Sequence, residues 1–292
     1  MGALFPKEQA ARILASALDE DLGADGDVTT RALAKPADRG EAWIVAREEM
    51  VVAGLPLLPM IAREMEARGE GALSVETLVE DGAHCRAGGR LARLEGSVRA
   101  LLASERVLLN LLARLCGIAS MTRKAVEEIA GTDCTIADTR KTTPGLRALE
   151  KYAVAVGGGE NHRSALDEMV MVKDNHRQLC GGLSAVLDAM EAAGHDLAKI
   201  EVEVESSEDL DLALERGVGW ILLDNMSVLE MRTAVKKVAG RARLEASGGL
   251  TIGRLRDVAE AGVQRISLGS LTHSARSLDI GLDILHLRCS AS

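Results

Sequence analysis

Apolar and polar positions follow two different rhythms along this chain, and the change between them falls beyond its first third. Residues 7 to 18 place apolar side chains at helical spacing. Glu41 to Gly54 and Leu73 to Leu101 instead show short strand-like stretches, broken by Gly82, Gly88, Gly89 and Gly96. That mixture predicts a small α+β domain. From about Leu101 to Ala130 the pattern predicts a long helix with an interruption near Gly117.

After that helix one unit recurs: a short apolar strand, a polar residue or glycine at its carboxyl end, then a helix. The strands are expected at Thr135 to Ala137, Met169 to Val172, Ile200 to Val204, Trp220 to Leu223, Arg243 to Ala246 and Gln264 to Leu268. In order, their ends carry Asp138 with Arg140 and Lys141, then Lys173, Glu203 with Glu205, Asp224, Ser247-Gly248-Gly249, and Gly269-Ser270. Chemistry at six consecutive strand ends is the layout of a parallel β/α barrel, whose active site lies on its carboxyl face. A doubly wound sheet would gather such residues at one switch point.

Composition narrows the ligand. The chain has 292 residues, 47% of them hydrophobic, yet its aromatics are only Phe5, Trp43, Tyr152 and Trp220. The core must be aliphatic, and a flat ligand would be held by charge and backbone donors rather than by stacking. A net charge of -9 disfavours nucleic acid and anionic membranes as partners. No apolar run reaches the roughly 20 residues of a membrane span, and the N-terminus lacks the continuous apolar stretch of a signal peptide, so a cytoplasmic protein is expected. Five cysteines without a C-x-x-C pair read as reduced thiols, and the tail from Cys289 to Ser292 as a frayed end.

Against this acidic background, residues 139 to 163 hold Arg140, Lys141, Arg147, Lys151 and Arg163 against only Glu150 and Glu160, a local charge of +3. Such contrast points to a small, multiply charged anion. Lys141 and Lys173 are point charges at strand ends, suited to phosphate or pyrophosphate. Glu201, Glu203 and Glu205 fall on one strand face, where three carboxylates repel unless cations intervene; a magnesium ion would relieve this. Glu201 is expected to lie deeper and pair with a core lysine or arginine. Ser247-Gly248-Gly249 and Leu268-Gly269-Ser270 close the last two strands, where barrels bind phosphate through backbone N–H groups. Gly157 to Gly159 reads as a helix stop, and Asp19 to Asp27 as a cap and turn. His162 either lines the pocket or serves the backbone, and His176 orients rather than reacts.

Many of these motifs, taken in order, resemble the nicotinate-nucleotide pyrophosphorylases, or quinolinate phosphoribosyltransferases. The resemblance rests on Glu20-Asp21-Leu22-Gly23, Gly26 to Thr30, Ser104-Glu105-Arg106, Thr139 to Gly145, Leu149 to Val154, Gly157 to Arg163, Lys173 to His176, Glu201 to Glu205, Leu222 to Asn225, Glu245 to Gly249 and Ser267 to Gly269. It implies an incomplete, open parallel α/β barrel of seven strands beside an N-terminal α/β sandwich domain. The six strands above leave one unlocated. We expect residues 1–112 in the sandwich domain, with 275–292 returning to it, and residues 113–274 in the barrel.

The resemblance further implies transfer of the phosphoribosyl group of phosphoribosyl pyrophosphate (PRPP) to quinolinate, with decarboxylation, in NAD synthesis. Arg106, Arg140 and Arg163 would hold the two adjacent carboxylates of quinolinate, for which the guanidinium fork suits better than an ammonium. Arg106 would reach in from the neighbouring subunit of a homodimer, alone or within a larger assembly such as a hexamer. Thr139, Lys141, His162 and Lys173 would contact substrate. Glu203 and Asp224 would serve the ribose hydroxyls and a magnesium ion carried with PRPP, and Lys141, Lys173, Glu203 and Asp224 would carry the chemistry. Two rivals are a molybdenum-transport-associated relative of the same fold and a non-catalytic sensor of a phosphorylated nucleotide precursor. The arginine set speaks against the first; Glu203 and Asp224, of no use to a mere anion binder, speak against the second.

Overall fold

The computed structural model describes residues 4–288, so the Cys289 to Ser292 tail lies outside the described residues. The chain forms two compact units. One combines the chain up to Arg123 with Thr142–Gly158 and the chain from Leu271; the other combines Lys124–Lys141 with Gly159–Ser270. Helix Arg147–Val156, placed with the barrel in the sequence reading, therefore groups with the first unit.

In the first unit the strands are β1 (Arg39–Ala46), β2 (Met50–Val51), β3 (Leu73–Thr77), β4 (His84–Cys85) and β5 (Arg90–Ser97). The C-terminal strand Ile280–Arg288 pairs antiparallel with β1, and the sheet continues through β5 to β3; β2 and β4 form a separate pair. Alternation along β1 buries Ala42 and Ile44 completely on one face. Helix Val98–Glu128 runs for 31 residues without the interruption expected at Gly117. Glycine is needed there for contact rather than for bending: a Cβ would sit 2.0 Å from the Arg276 carbonyl oxygen, so the helix backbone packs directly on the returning C-terminal segment.

The second unit supplies six parallel strands: β6 (Thr135–Ala137), β7 (Met171–Val172), β8 (Glu201–Val204), β9 (Trp220–Asp224), β10 (Arg243–Ser247) and β11 (Arg265–Ser267). Their order, β6-β11-β10-β9-β8-β7, joins the first strand to the last and leaves β7 at the opposite edge. The unlocated strand is a single parallel bridge between Ala137 and Glu160 on the free side of β6, with Glu160 N–H donating to Ile136 at 2.7 Å and Asp138 N–H donating to Glu160 at 3.1 Å. One residue pair gives no periodic pattern to read. Among the described residues no pairing joins this edge to β7, and the barrel is open.

Period-two alternation in these strands decides what faces the barrel interior. Val202, Val204, Ile221, Leu223, Leu244 and Ala246 are buried on the outer side of the sheet. Each of the Val, Ile and Leu side chains contributes about 1.5–3 kcal/mol when taken from water. Glu201 and Glu203, Leu222 and Asp224, Glu245 and Ser247, and Arg265 and Ser267 take the other face. The helices that follow β8 and β9 begin at side-chain caps: Ser206 Oγ accepts Asp209 N–H at 3.1 Å, and Ser227 and Glu230 cap each other reciprocally.

The start of β9 is fixed by a close backbone contact. A Cβ on Gly219 would lie 1.9 Å from the Ala198 carbonyl oxygen, with no flexible side chain to yield. Gly219→Ala should lose about 1–3 kcal/mol, or several degrees of Tm, through overpacking. Gly253→Ala, where a Cβ meets nothing within 4 Å, should leave Tm unchanged in the same thermal scan.

Candidate active site

Above the inner face of the strands lies a cavity of about 530 Å³, lined by strand-end residues and by the loops after β6 and after the Glu160 bridge. It brings together Thr139, Arg140, Lys141, His162, Arg163, Lys173, Glu203, Asp224, Ser247, Gly248 and Gly249 from the sequence-derived set. No Phe, Tyr or Trp lines it.

The floor is a buried ionic cluster. His162 Nε2 faces Glu201 Oε2 at 3.1 Å and Glu245 Oε2 at 3.5 Å, and Glu245 is also met by Arg265 Nη1 at 3.1 Å. The Arg265 guanidinium in turn stacks 3.8 Å from the Trp220 ring. Glu201 thus pairs with a histidine instead of the lysine or arginine expected from sequence, because the loop after Glu160 places His162 beside β8. Burial alone would lower the His162 pKa, and its hydrogen bonds to Glu201 and Glu245 outweigh this and favour the charged ring, up to about 9; against that charge stands the Arg163 N–H held by Nδ1, a bond that only the neutral ring accepts. Burial also raises the pKa of Glu201.

These three side chains have the composition of a metal site, with their ligand atoms within 4.8 Å of one another. The hydrogen bonding assigns them otherwise. His162 Nδ1 accepts the Arg163 N–H at 2.7 Å, which leaves the ring proton on Nε2, aimed at Glu201, with no lone pair for a metal. His162 therefore both lines the cavity and serves the backbone. Its own N–H is held by Asp138, whose carboxylate also accepts from Asn161 at 2.7 Å.

One side of the cavity is cationic. Arg163 Nη1 donates to the Met169 carbonyl at 2.8 Å. Its pKa is lowered first by burial and then by the neighbouring Arg140 charge, so two guanidiniums share one partly desolvated space. The other side is acidic. Lys173 Nζ pairs with Glu203 Oε2 at 2.9 Å, and the carboxylates of Glu203, Glu205 and Asp224 lie within 4.8 Å of one another. Asp224 has its pKa raised, first by burial and then by the charge of Glu203. His176 Nδ1 accepts the Lys173 N–H at 2.9 Å, an orienting role that fixes the start of the helix bearing Lys173.

Beyond β9 and β10 the backbone is left-handed. Asn225 has φ 54°, and its N–H donates to Ser247 at 3.0 Å. Gly248 has φ 90°, and a Cβ on it would lie 2.3 Å from Asn225 Oδ1 and 2.8 Å from the Asn225 nitrogen. Only glycine fits.

Four sequence-derived residues are not in the cavity lining. The Leu268 side chain is buried and its N–H donates to Ala137 at 2.9 Å, which commits that amide to the sheet; the strand contributes Ser267 to the lining instead. Gly269 and Ser270 follow it. Arg106 lies in the other compact unit, with its side chain 65% exposed and 3.9 Å from Glu105. Conversely, Met171, Leu222, Asn225, Glu245 and Ser267 line the cavity without having been singled out. Most were readable by alternation: Glu245 stands two residues before Ser247, as Met171 stands two before Lys173.

Comparison with known proteins gives one consistent result. Residues 118–283 match the quinolinate phosphoribosyl transferase C-terminal domain family, and residues 27–116 match its N-terminal domain family. The nicotinate-nucleotide pyrophosphorylase [carboxylating] of Mycobacterium leprae is 42% identical over 92% of this chain and 94% of its own. The crystal structure of NadC from Streptococcus pyogenes is similar with a TM-score of 0.89 and 36% identity, covering 100% of both chains. The nicotinate-nucleotide pyrophosphorylase of Ehrlichia chaffeensis gives 0.88 and 38%, covering 94% of this chain and 98% of its own.

The raised pKa of Asp224 has a stability consequence whose sign is fixed. An acid whose folded pKa exceeds its unfolded value binds its proton more tightly in the fold, so its ionised form costs stability at neutral pH, and that cost shrinks as pH falls through the folded pKa and is gone below the unfolded one. Asp224→Asn should therefore raise Tm slightly at pH 7, with a gain that shrinks on acidification. A fall in Tm at pH 7 would show that the carboxylate stabilises the fold.

Proposed function

Since the chain belongs to the quinolinate phosphoribosyl transferase family, we propose that this cavity is where it transfers the phosphoribosyl group of PRPP to quinolinate, releasing carbon dioxide and pyrophosphate and forming nicotinate mononucleotide for NAD synthesis. The observation that carries the assignment is the division of one cavity into a paired-guanidinium side and a carboxylate side. Arg140 and Arg163 bind the two carboxylates of quinolinate, whose charge relieves the repulsion between them. Lys141 and Lys173 neutralise pyrophosphate and the carboxylate that departs. Glu203 and Asp224 accept from the ribose hydroxyls. Ser247, Gly248 and Gly249 present backbone donors to phosphate, and Gly269 and Ser270 are proposed to complete that group.

The reaction needs no side-chain nucleophile. The quinolinate ring nitrogen attacks C1 of the ribose as the C1–O bond to pyrophosphate breaks, and catalysis is positioning and electrostatics. The 2-carboxylate then leaves as carbon dioxide because the quaternised nitrogen stabilises the electron pair left at C2, which takes up a proton. The clustered carboxylates of Glu203, Glu205 and Asp224 suit a divalent ion, and we assign Glu203 and Asp224 to magnesium carried with PRPP. When bound, magnesium offsets the charge developing on pyrophosphate.

Two further features belong to this reading. The described cysteines are all free thiols, and burial pushes the pKa of Cys116 and Cys134 up to about 12, which suits an inert residue in a reducing cytosol. No helix among the described residues is long and apolar enough to cross a membrane. Arg106, exposed on helix Val98–Glu128, is proposed to complete the cationic side of the cavity in a second copy of the chain, giving a homodimer with shared sites that can build into a hexamer.

Incubation with quinolinate, PRPP and magnesium should release carbon dioxide. Nicotinic acid, lacking the 2-carboxylate, should react about ten- to hundredfold less efficiently, as expected for one lost charge-assisted contact. Comparable turnover of both acids would defeat the arginine assignment. For the shared site, Arg106→Ala and Lys141→Ala homodimers should each be nearly inactive. Their mixed dimer should regain up to about half the activity of a wild-type dimer, because one of its two pockets collects both intact residues. A verified mixed dimer as inactive as its parents would place Arg106 outside the shared site.

A further inference from the structure

Within the first compact unit, one wholly buried carboxylate collects an unusual set of donors. Glu150 Oε1 accepts from Arg114 Nε at 3.0 Å, from Arg114 Nη2 at 2.8 Å and from Thr143 Oγ1 at 2.8 Å, while Oε2 accepts the Thr143 N–H at 3.1 Å. The same guanidinium donates onward to the carbonyls of Thr272 and Ala275, the latter at 2.6 Å. Every hydrogen-bonding face of the pair is therefore turned toward two chain segments remote in sequence. Thr143 stands two residues after Lys141, and Thr272 two residues after Ser270.

We propose that the Arg114–Glu150 pair is a positioning group for the reaction, holding the exits of the two loops that carry the Arg140–Lys141 cations and the Gly269–Ser270 phosphate donors. This rests on the function proposed above. A buried ion pair is a poor way to gain stability, since well-packed apolar residues of similar volume serve as well or better. What it supplies is direction. Glu150 fixes Thr143 through both its backbone and its hydroxyl, so the chain leaves Lys141 along one path. Arg114, with a planar fork that a lysine cannot reproduce, fixes the carbonyls after Ser270 relative to that path. An interval of two residues leaves each loop little freedom between its substrate-binding groups and its anchor.

Removing Glu150 or Arg114 outright would leave a buried charge and could unfold the chain, so the test uses changes that keep the pair. Thr143→Ala removes only the hydroxyl grip, at an exposed residue. It should raise the KM for quinolinate and the KM for PRPP about tenfold each, since Arg140 and Lys141 ride on the one loop, and Thr143→Ser should restore wild-type values. Arg114→Lys keeps the charge opposite Glu150 but loses the fork to Thr272 and Ala275, and should raise the PRPP KM while leaving the quinolinate KM within about twofold. Wild-type kinetics in Thr143→Ala, or rises that Thr143→Ser does not reverse, would overturn the proposal. Amide exchange of residues 138–146 is read in parallel: it should quicken in Thr143→Ala, and unchanged exchange also counts against the anchor. If the wild-type protein itself fails to consume quinolinate, the functional reading falls, and the exchange result alone decides whether the anchor exists.

Discussion

Burying ionised groups inside a parallel sheet is the constraint on which this site depends. Barrel interiors are ordinarily filled by branched aliphatic side chains, yet here Glu201 and Glu245 stand completely buried on the inner face of β8 and β10. Neither would be tolerated alone. Arg265, itself laid against Trp220, and His162, held by the backbone of Arg163 and by Asp138, bring the compensating donors. The residues one period higher on the same strands, Glu203 and Ser247, line the cavity above that network.

Above the floor, like charges are deliberately left close together. Burial and then the Arg140 charge depress the pKa of Arg163, and burial and then the Glu203 charge raise that of Asp224, so each half of the cavity holds like charges in a partly desolvated space. The two like-charged pairs have opposite signs and lie in one space. In the reaction proposed above, a dianionic ring and the ribose half of PRPP would relieve one each, which gives the site a reason to bind two substrates of different charge distribution side by side. Lys173, paired with Glu203, sets one cation against the acidic side.

Backbone geometry provides what charge does not. Gly248 lies so near Asn225 that no side chain fits, and the left-handed turn at Asn225 brings the end of β9 alongside the end of β10. Gly219 and Gly117 act earlier in the hierarchy, each admitting a backbone contact that a methyl group would block. In all three positions glycine serves close approach.

Alternation and strand-end chemistry in the sequence by themselves determined the parallel strands β6 to β11, the polar residues at their carboxyl ends and the local positive charge, because each depends only on neighbours along the chain. The same reasoning erred where one residue had to report on distant ones. Gly117 looked like a break and is a packing contact, and the strand reduced to Glu160 had no period to reveal it. Glu201 found a histidine rather than a lysine or arginine because its partner is brought by a loop 39 residues away. The tautomer of His162, the commitment of the Leu268 amide to the sheet and the convergence of Thr143, Arg114 and Thr272 on Glu150 are likewise products of tertiary structure. Hydrogen bonds join specific atoms across long stretches of chain, and a linear pattern of residue types carries the donors and acceptors but not their pairing.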